Sequence, residues 1–387
     1  MIEGYMHIDR PDEPVEELIG QLAEAGTRKW VFSESIFVES LGVRTQNPLG
    51  MWLKKRFPCQ SYFYAAADFF VPGPKDVDTP GAANARTSSP HHWAEPEAPA
   101  FAVSLADQVR TYSAIGADGW KLVNGKPDHY FSHLDSPVLE PLFAALEETG
   151  LPLFWHVGDP VEFWNPDAIP RWALKEWCYT DAHPSLDRLR AEAMRVLHRH
   201  PRLPVIFAHF YFMGYELDEL SRMLAAHPNV YLDLTPGIEM YFGFTSKREA
   251  ARRFFSEHAD RIVVGSYASL SRPPAGVLRM IRKFLETDES FDPPHDDPYS
   301  WPDDRAPIKG IRLGPPELEM IYTKNLERLL GEAPRLLDEA HTLAELRRIR
   351  EHEGSGGLAD QVLGRWKLPI IEARPCRARL PRMVSRA

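Results

Sequence analysis

Short, dense apolar runs alternate along this chain with longer runs whose apolar positions recur every three to four residues. The first pattern predicts buried strands and the second amphipathic helices. "MIEGYMHI" reads as the first strand and "EPVEELIGQLAEAG" as the helix after it. "RKWVFSES" and "SYFYAAADFF" are the second and third strands, with the helix "QNPLGMWLKKRF" between them. "SLADQVRTYSAIGA" then leads into "DGWKLV", and "SPVLEPLFAALEETG" into "LPLFWHVG". That second helix is expected to be capped by Ser136, with Pro137 in its first turn and Gly150 just past its end. "SLDRLRAEAMRVLHRHP", "ELDELSRMLAAHP" and "SKREAARRFFSEHA" precede the sixth, seventh and eighth strands, "LPVIFAHF", "NVYLDLTPG" and "DRIVVGSY". "PPELEMIYTKNLERLLG" closes the series as a helix.

Eight strands alternating with helices predict an α/β chain folded as a (β/α)8 TIM barrel over residues 1–331. A doubly wound sheet would want a G-x-G-x-x-G turn after an early strand, and none follows one. Residues 72–100, rich in Pro, Gly, Ser and Ala without an apolar period, read as a loop or lid insertion. Residues 332–387 read as a C-terminal helical extension with a basic tail.

Composition narrows the class. The chain has 387 residues and 44% hydrophobic content, enough for a large core. No apolar run approaches the ~18 residues of a membrane span, so no membrane partner is expected. The net charge of −10 argues against a nucleic-acid partner. Only the terminal stretch "ARPCRARLPRMVSRA" is basic, and it reads as a solvated tail. Cys59, Cys178 and Cys376 are too few and too dispersed for a disulfide framework. They fit a cytoplasmic location, as does the lack of a visible secretory signal.

In a barrel of this kind chemistry gathers at the C-terminal ends of the strands. His7, His156 and His209 fall at the ends of strands one, five and six. One such histidine is ordinarily a packing residue. Three at one mouth form a candidate site for a divalent metal (Zn, Mn or Fe), because neutral imidazole suits these ions. Glu34, Asp68, Asp159, Asp233 and Glu239 are the nearby acids, although Asp159, followed by proline, also suits a turn cap. Lys121 on strand four reads either as an anchor for substrate or as half of an internal ion pair. After strand five, Trp164, Trp172 and Trp177 would roof the mouth or simply hold the loop together. Trp155, Asn124 and Tyr241 complete the candidate substrate-binding set with Asp159, Trp164 and Trp172. His129 and His133 are four residues apart without the H-E-x-x-H pattern, which favours a surface role.

Taken together, "MHID", "LFWHVGDP", "PVIFAHF", "VVGS" and "YTKNLERLLG" resemble the amidohydrolase superfamily. The likeness is to the amidohydrolase-related branch that also contains aromatic-acid decarboxylases. The resemblance implies a distorted barrel with one or two divalent metals that activate water or orient a substrate for loss of carbon dioxide. It also admits a homodimer, since related barrels often pair. Departures are as informative. The superfamily's His-x-His on strand one is Tyr5-x-His7 here, and its strand-eight aspartate falls at Tyr267. Relatives with a similar "GWK…GKP" segment often carry glutamate at the position of Asn124. The expected catalytic set is therefore His156, His209, Tyr5, Tyr267, Lys121 and Glu239. With a metal, it would hydrolyse an amide, ester or lactone, or decarboxylate an aromatic acid. Without one, the phenols and imidazoles would serve cyclisation, dehydration or another non-hydrolytic step. An inactive relative that only binds a small molecule is the alternative outside catalysis.

Overall fold

Strand β1, Ile2–Met6, sends its alternate side chains into two different cores. Tyr5 joins an inner cluster with Val31, Tyr62, Tyr64, Phe154 and Ile206, whereas Met6 joins the larger core between strands and helices. This division repeats around a closed parallel sheet, seen in a computed structural model that describes residues 1–35, 44–69, 103–294 and 307–371. The 72–100 insertion, Cys376 and the arginine-rich tail lie outside the described residues. The expected (β/α)8 barrel is present. Strands β2 (Lys29–Phe32), β3 (Ser61–Ala66), β4 (Gly119–Gly125), β5 (Leu153–Val157), β6 (Val205–Phe207), β7 (Val230–Asp233) and β8 (Ile262–Val263) pair in sequence order. Closure comes from the chain just beyond β8. Gly4 N–H donates to Val264 O at 2.9 Å, His7 N–H to Ala268 O at 2.8 Å, and Ala268 N–H to Tyr5 O at 3.1 Å.

The outer layer is made of α1 (Val15–Glu24), α2 (Asn47–Arg56), α3 (Leu105–Ile115), α4 (Glu140–Thr149), α5 (Leu174–Trp177), α6 (Leu186–Arg199) and α7 (Leu217–Ala226). It continues through α8 (Ile238–Ser246), α9 (Arg248–Glu257) and α10 (Pro274–Glu286). Helices α8 and α10 are absent from the sequence reading. Helix α10 buries Val277, Leu278, Ile281, Phe284 and Leu285, a helical spacing set directly behind two prolines. Helix α4 starts three residues later than a cap at Ser136 implies. Pro141 occupies its first turn, and the Ser136 hydroxyl accepts from Val138 N–H within the preceding turn at 3.3 Å.

Helices α11 (Pro315–Glu319) and α12 (Asn325–Leu330) flank one π turn. Leu326 and Leu330 of α12 enter the inner cluster and plug the end of the barrel opposite the mouth. Asn325 fixes this plug by donating to Ala259 O and Ile262 O, each at 2.7 Å. Beyond it, α13 (Glu339–Glu353) docks on α3 and α14 (Leu358–Arg365) on α2. Gly116 permits this docking. Its φ is +102°, and a Cβ there would lie 2.3 Å from Leu336 O. Among the described residues no helix is long and apolar enough to cross a membrane.

Lys54 of α2 and Asp118, just before β4, form a fully buried ion pair. Asp118 also accepts Phe63 N–H at 2.8 Å and Arg335 N–H at 2.7 Å, joining α2, β3 and the C-terminal segment. Removing one partner strands the other charge. Asp118→Ala is therefore expected to lower stability by about 3–5 kcal/mol, read from the midpoint of urea unfolding.

Candidate functional site at the barrel mouth

Strand alternation carries Glu3, Tyr5 and His7 to the barrel interior from β1, and Phe154 and His156 from β5. Lys121 of β4 reaches across the interior, donates to the Tyr5 hydroxyl, and lies 3.6 Å from the Tyr5 ring and 4.8 Å from that of Phe154. Above this layer stand Tyr267 and the histidines. Ring centroids of Tyr267 and His7 are 4.2 Å apart, those of Tyr267 and Tyr5 5.0 Å, and those of His156 and His209 5.0 Å.

Burial sets the charge of this interior. It pushes Glu3 and Glu34 up to about 8 and Asp233 up to about 7. Burial also holds Lys121 well below its ordinary value, against the pull of Glu34 and Asp233. His7 and His209 are likewise held well below theirs, chiefly by burial. Both rings have an assigned tautomer. His7 Nδ1 meets Ser33 O at 2.9 Å and His209 Nδ1 meets Thr235 O at 3.0 Å. A carbonyl only accepts, so each Nδ1 carries the proton.

Strand β6 ends early, at Phe207, because the next residues leave extended geometry. His209, Phe210, Tyr211 and Phe212 have φ of +53°, +56°, +57° and +51°. Four consecutive left-handed residues with side chains are intrinsically costly, roughly 1–2 kcal/mol each. Packing holds them in place. Phe210 stacks on Phe255 with centroids 5.5 Å apart, and Tyr211 on Phe207 at 4.0 Å. The turn thereby aims both His209 and Phe212 into the mouth, with Phe212 stacked on His209 at 5.2 Å and 5.5 Å from His156. Tyr267, with φ of +57°, is turned inward by the same backbone conformation. Gly265 lets side chains around the end of β7 approach the chain just before it, since a Cβ there would lie 2.6 Å from Asp233 Oδ1 and 2.3 Å from Thr235 Oγ1.

The mouth opens into a pocket of about 620 Å³, measured to its open rim. Phe163, Trp172, Trp177 and Phe212 form aromatic walls, while His156, His209, Glu239, Tyr267, Lys126 and Arg272 supply the polar groups. The Arg272 guanidinium lies over the Tyr267 ring at 5.6 Å. At the centre, His156 Nε2 faces Asp159 Oδ1 at 3.4 Å. Asp159 Oδ2 accepts from Lys126 Nζ at 2.6 Å and from the Tyr179 hydroxyl. Burial alone would raise Asp159, but Lys126 and His156 hold it below the usual carboxylate range. Burial lowers His156, opposed by Asp159, so the imidazole is neutral at pH 7. In the tautomer that donates Nε2–H to Asp159, the lone pair resides on Nδ1, which has no hydrogen-bond partner.

The donor chemistry of the three histidines suits a metal, since each has one ring nitrogen oriented by an acceptor. Their spacing does not. Among the described residues, the group of three His, Cys, Asp or Glu ligand atoms lying within 4.8 Å of one another is His133, Asp135 and Glu192, away from the mouth. His7, His156 and His209, the set expected from the sequence, are not gathered in this way. Tyr267 packs against His7, and the strand-eight position offers a phenol where a carboxylate would complete a ligand set. The residues at the mouth therefore do not fit a divalent metal. The second group is already occupied by cations. Arg195 Nε lies 2.5 Å from Asp135, Arg188 Nε 2.9 Å from Glu192, and Arg188 Nη2 2.9 Å from His133 Nε2.

The other expected site residues divide by strand parity and by packing. Trp155 points opposite to His156, stacks on Phe207 in the outer core, and donates to Asn124 Oδ1 at 3.1 Å. Tyr241 donates to Leu234 O at 2.9 Å and packs on Phe284, also in the outer core. Trp155, Asn124 and Tyr241 thus stand behind the wall rather than on it. Trp164 donates to Pro184 O at 3.2 Å and braces the loop, while its neighbour Trp172 faces the pocket. Tyr5, His7 and Lys121 lie below the pocket surface. Asp68 is paired with Arg44. Sequence reasoning missed Lys126, Tyr179, Phe212 and Arg272. Lys126 stands in the quoted "GKP" turn after strand four, and Phe212 lies three residues after the strand-six histidine. Arg272 and Tyr179 carry no such local signal.

The Amidohydrolase family model matches residues 78–331, more than half of the chain, and the chain belongs to that family. No curated protein sequence matches it. Among solved structures, it is similar to a Pseudomonas putida protein assigned as a 2-pyrone-4,6-dicarboxylic acid hydrolase. That pair shares 12% identity, with 86% of this chain and 97% of the other covered and a TM-score of 0.50. An uncharacterized TIM-barrel protein from Bordetella bronchiseptica shares 17% identity, covering 86% and 98%, with a TM-score of 0.49. The 5-carboxyvanillate decarboxylase from Sphingomonas paucimobilis shares 13%, covering 85% and 98%, with a TM-score of 0.47. Likeness at these identities speaks for the fold alone.

The buried Glu3 provides a direct probe of the interior. Its Oε1 accepts Tyr5 N–H at 2.9 Å and Ser266 N–H at 2.7 Å, so it also ties β1 to the β8 end. Its folded value is raised to about 8 from 4.5. Its contribution to stability is therefore complete below 4.5 and is lost as pH rises through about 8. Glu3→Gln keeps the acceptor and removes the titration. Relative to the parent, this variant is expected to gain on the order of 4 kcal/mol between pH 4.5 and 8.5, read by denaturant unfolding across that range.

Proposed function

We propose that this member of the amidohydrolase family is an acid–base enzyme that hydrolyses an ester or lactone bond in a small, planar organic anion, without a metal ion. The observation that carries this reading is the His156–Asp159 dyad, set in the lining of an aromatic pocket that also bears Arg272. The His156 imidazole takes a proton from water, and the hydroxide adds to the substrate carbonyl. The fixed negative charge of Asp159 stabilises the imidazolium that forms. Charge developing on the carbonyl oxygen is met by the Arg272 guanidinium, with the Tyr267 hydroxyl beside it. The C–O bond then breaks, and the His156 proton passes to the leaving oxygen. The aromatic side chains receive the planar part of the substrate, and Arg272 also suits its negative charge.

Turnover of a panel of aryl esters, lactones and aromatic carboxylic acids tests this, with incorporation of labelled water oxygen and release of carbon dioxide followed in parallel. The expected result is oxygen incorporation that survives chelator treatment. His156→Asn should reduce kcat by roughly 10²–10⁴-fold. Carbon dioxide release without oxygen incorporation would make the protein a decarboxylase. Tight binding without turnover would make it a binding protein.

The pH profile gives a second check. The base form of His156 is the active one, and its value lies below 6.5. The rate is expected to keep more than half of its plateau at pH 6.5 and to halve only below that. A rate that already halves above pH 6.5 contradicts the assignment.

A further inference from the structure

Residues 158–185, between β5 and α6, form a structure of their own. Phe163, Ile169, Ala173, Trp177 and Tyr179 make a separate apolar cluster, with Trp164 and Trp172 packed against it. Tyr179 N–H donates to Phe163 O at 2.8 Å, and the Trp164 indole donates to Pro184 O, so the loop is tied at both ends. It meets the barrel at Asp159. The carboxylate is divided: Oδ1 faces His156, whereas Oδ2 is held by Lys126 from the β4 turn and by Tyr179 from the loop. Lys126 also lies 4.5 Å from the Trp177 ring and 3.2 Å from the Tyr179 oxygen.

The geometry points to Tyr179 and Lys126 as positioning residues that make the orientation of His156 conditional on a seated loop. This rests on the reading of His156 as the pocket base. A carboxylate on a short side chain can rotate about its last bond. Three partners on two oxygens fix that rotation, and Tyr179 is the partner contributed by the loop. When the loop lifts, Asp159 Oδ2 loses its phenol, and the lysine loses the aromatic ring beside its ammonium. The carboxylate is then free to turn, and the acceptor that selects the Nε2–H tautomer of His156 is no longer fixed. Closing the pocket over a substrate and preparing the base are thereby one event. The same contacts exclude water from the dyad, which strengthens the Asp159–His156 interaction in the closed state.

The test uses the full-length protein with ¹⁵N-labelled histidine, and the His156 signal is identified by its loss in His156→Gln. Hydrogen exchange of the loop amides is measured on the same samples. Tyr179→Phe removes one hydroxyl from Asp159. Trp164→Phe removes the anchor to Pro184 and changes the ring packed on Tyr179, 4.9 Å away, while every side chain that bonds Asp159 keeps its identity. Both variants are expected to speed loop exchange about tenfold, the loss of one hydrogen bond, while β5 amides keep their protection. Both should also move His156 from the Nε2–H tautomer to a mixture. Faster loop exchange in Trp164→Phe with the His156 tautomer unmoved would overturn the coupling. Unchanged exchange in Tyr179→Phe would overturn the latch. Neither readout involves turnover, so loss of the base assignment in the turnover assay is distinguishable from failure of this coupling.

Discussion

Burial dictates which groups in this barrel carry charge, and the site is arranged around the exception. Glu3, Glu34 and Asp233 are driven toward their protonated forms, and Lys121 toward its free amine, because the interior offers them little compensation. Asp159 is equally enclosed yet held ionised, since an ammonium, a phenol and an imidazole converge on its two oxygens. A carboxylate kept charged in such surroundings interacts strongly with its neighbours. The same burial leaves His156 neutral beside it, with the proton on the nitrogen facing the acid and the lone pair on the other. The pairing of a neutral base with a fixed anion follows from where the two side chains stand.

The barrel supplies that placement with an uneven set of parts. Closure through Gly4, His7 and Ala268 and the α12 plug make a rigid frame. On this frame the mouth is built from backbone that is far from ideal. Four left-handed residues after β6 and another at Tyr267 turn aromatic rings and a histidine inward, at a cost offset by the Phe210 and Tyr211 contacts behind them. Strain concentrated at the mouth and supported from the outer core is consistent with a working pocket. A scaffold without a task has no reason to keep it.

Much of this was legible in the sequence. The alternation of strand and helix patterns pointed to the barrel, and the histidines at strand ends pointed to its mouth. Parity was also legible. Phe154 and His156 share a face, so Trp155 stands on the other, against its expected place in the substrate-binding set. The left-handed turn was not legible, since "AHFYF" contains no glycine to mark it and apolar periodicity carries it on as strand. Nor was the convergence of three partners on the two oxygens of Asp159. Tyr179 lies twenty residues away along an irregular loop, and only the loop's own packing brings it back. The three histidines show the limit most clearly. Residue type and strand position made them a plausible metal set, but ligand spacing depends on backbone turns and on bulky neighbours such as Tyr267, which sequence order does not specify.

The central claim is that proton transfer at this mouth runs on an Asp159-fixed imidazole and not on a divalent ion. Elemental analysis of protein purified without chelator or added metal, repeated after growth in zinc-, manganese- and iron-supplemented medium, tests it most directly. The account predicts no stoichiometric zinc, manganese or iron under either condition. One ion per chain, lost in both His7→Ala and His209→Ala, would contradict it.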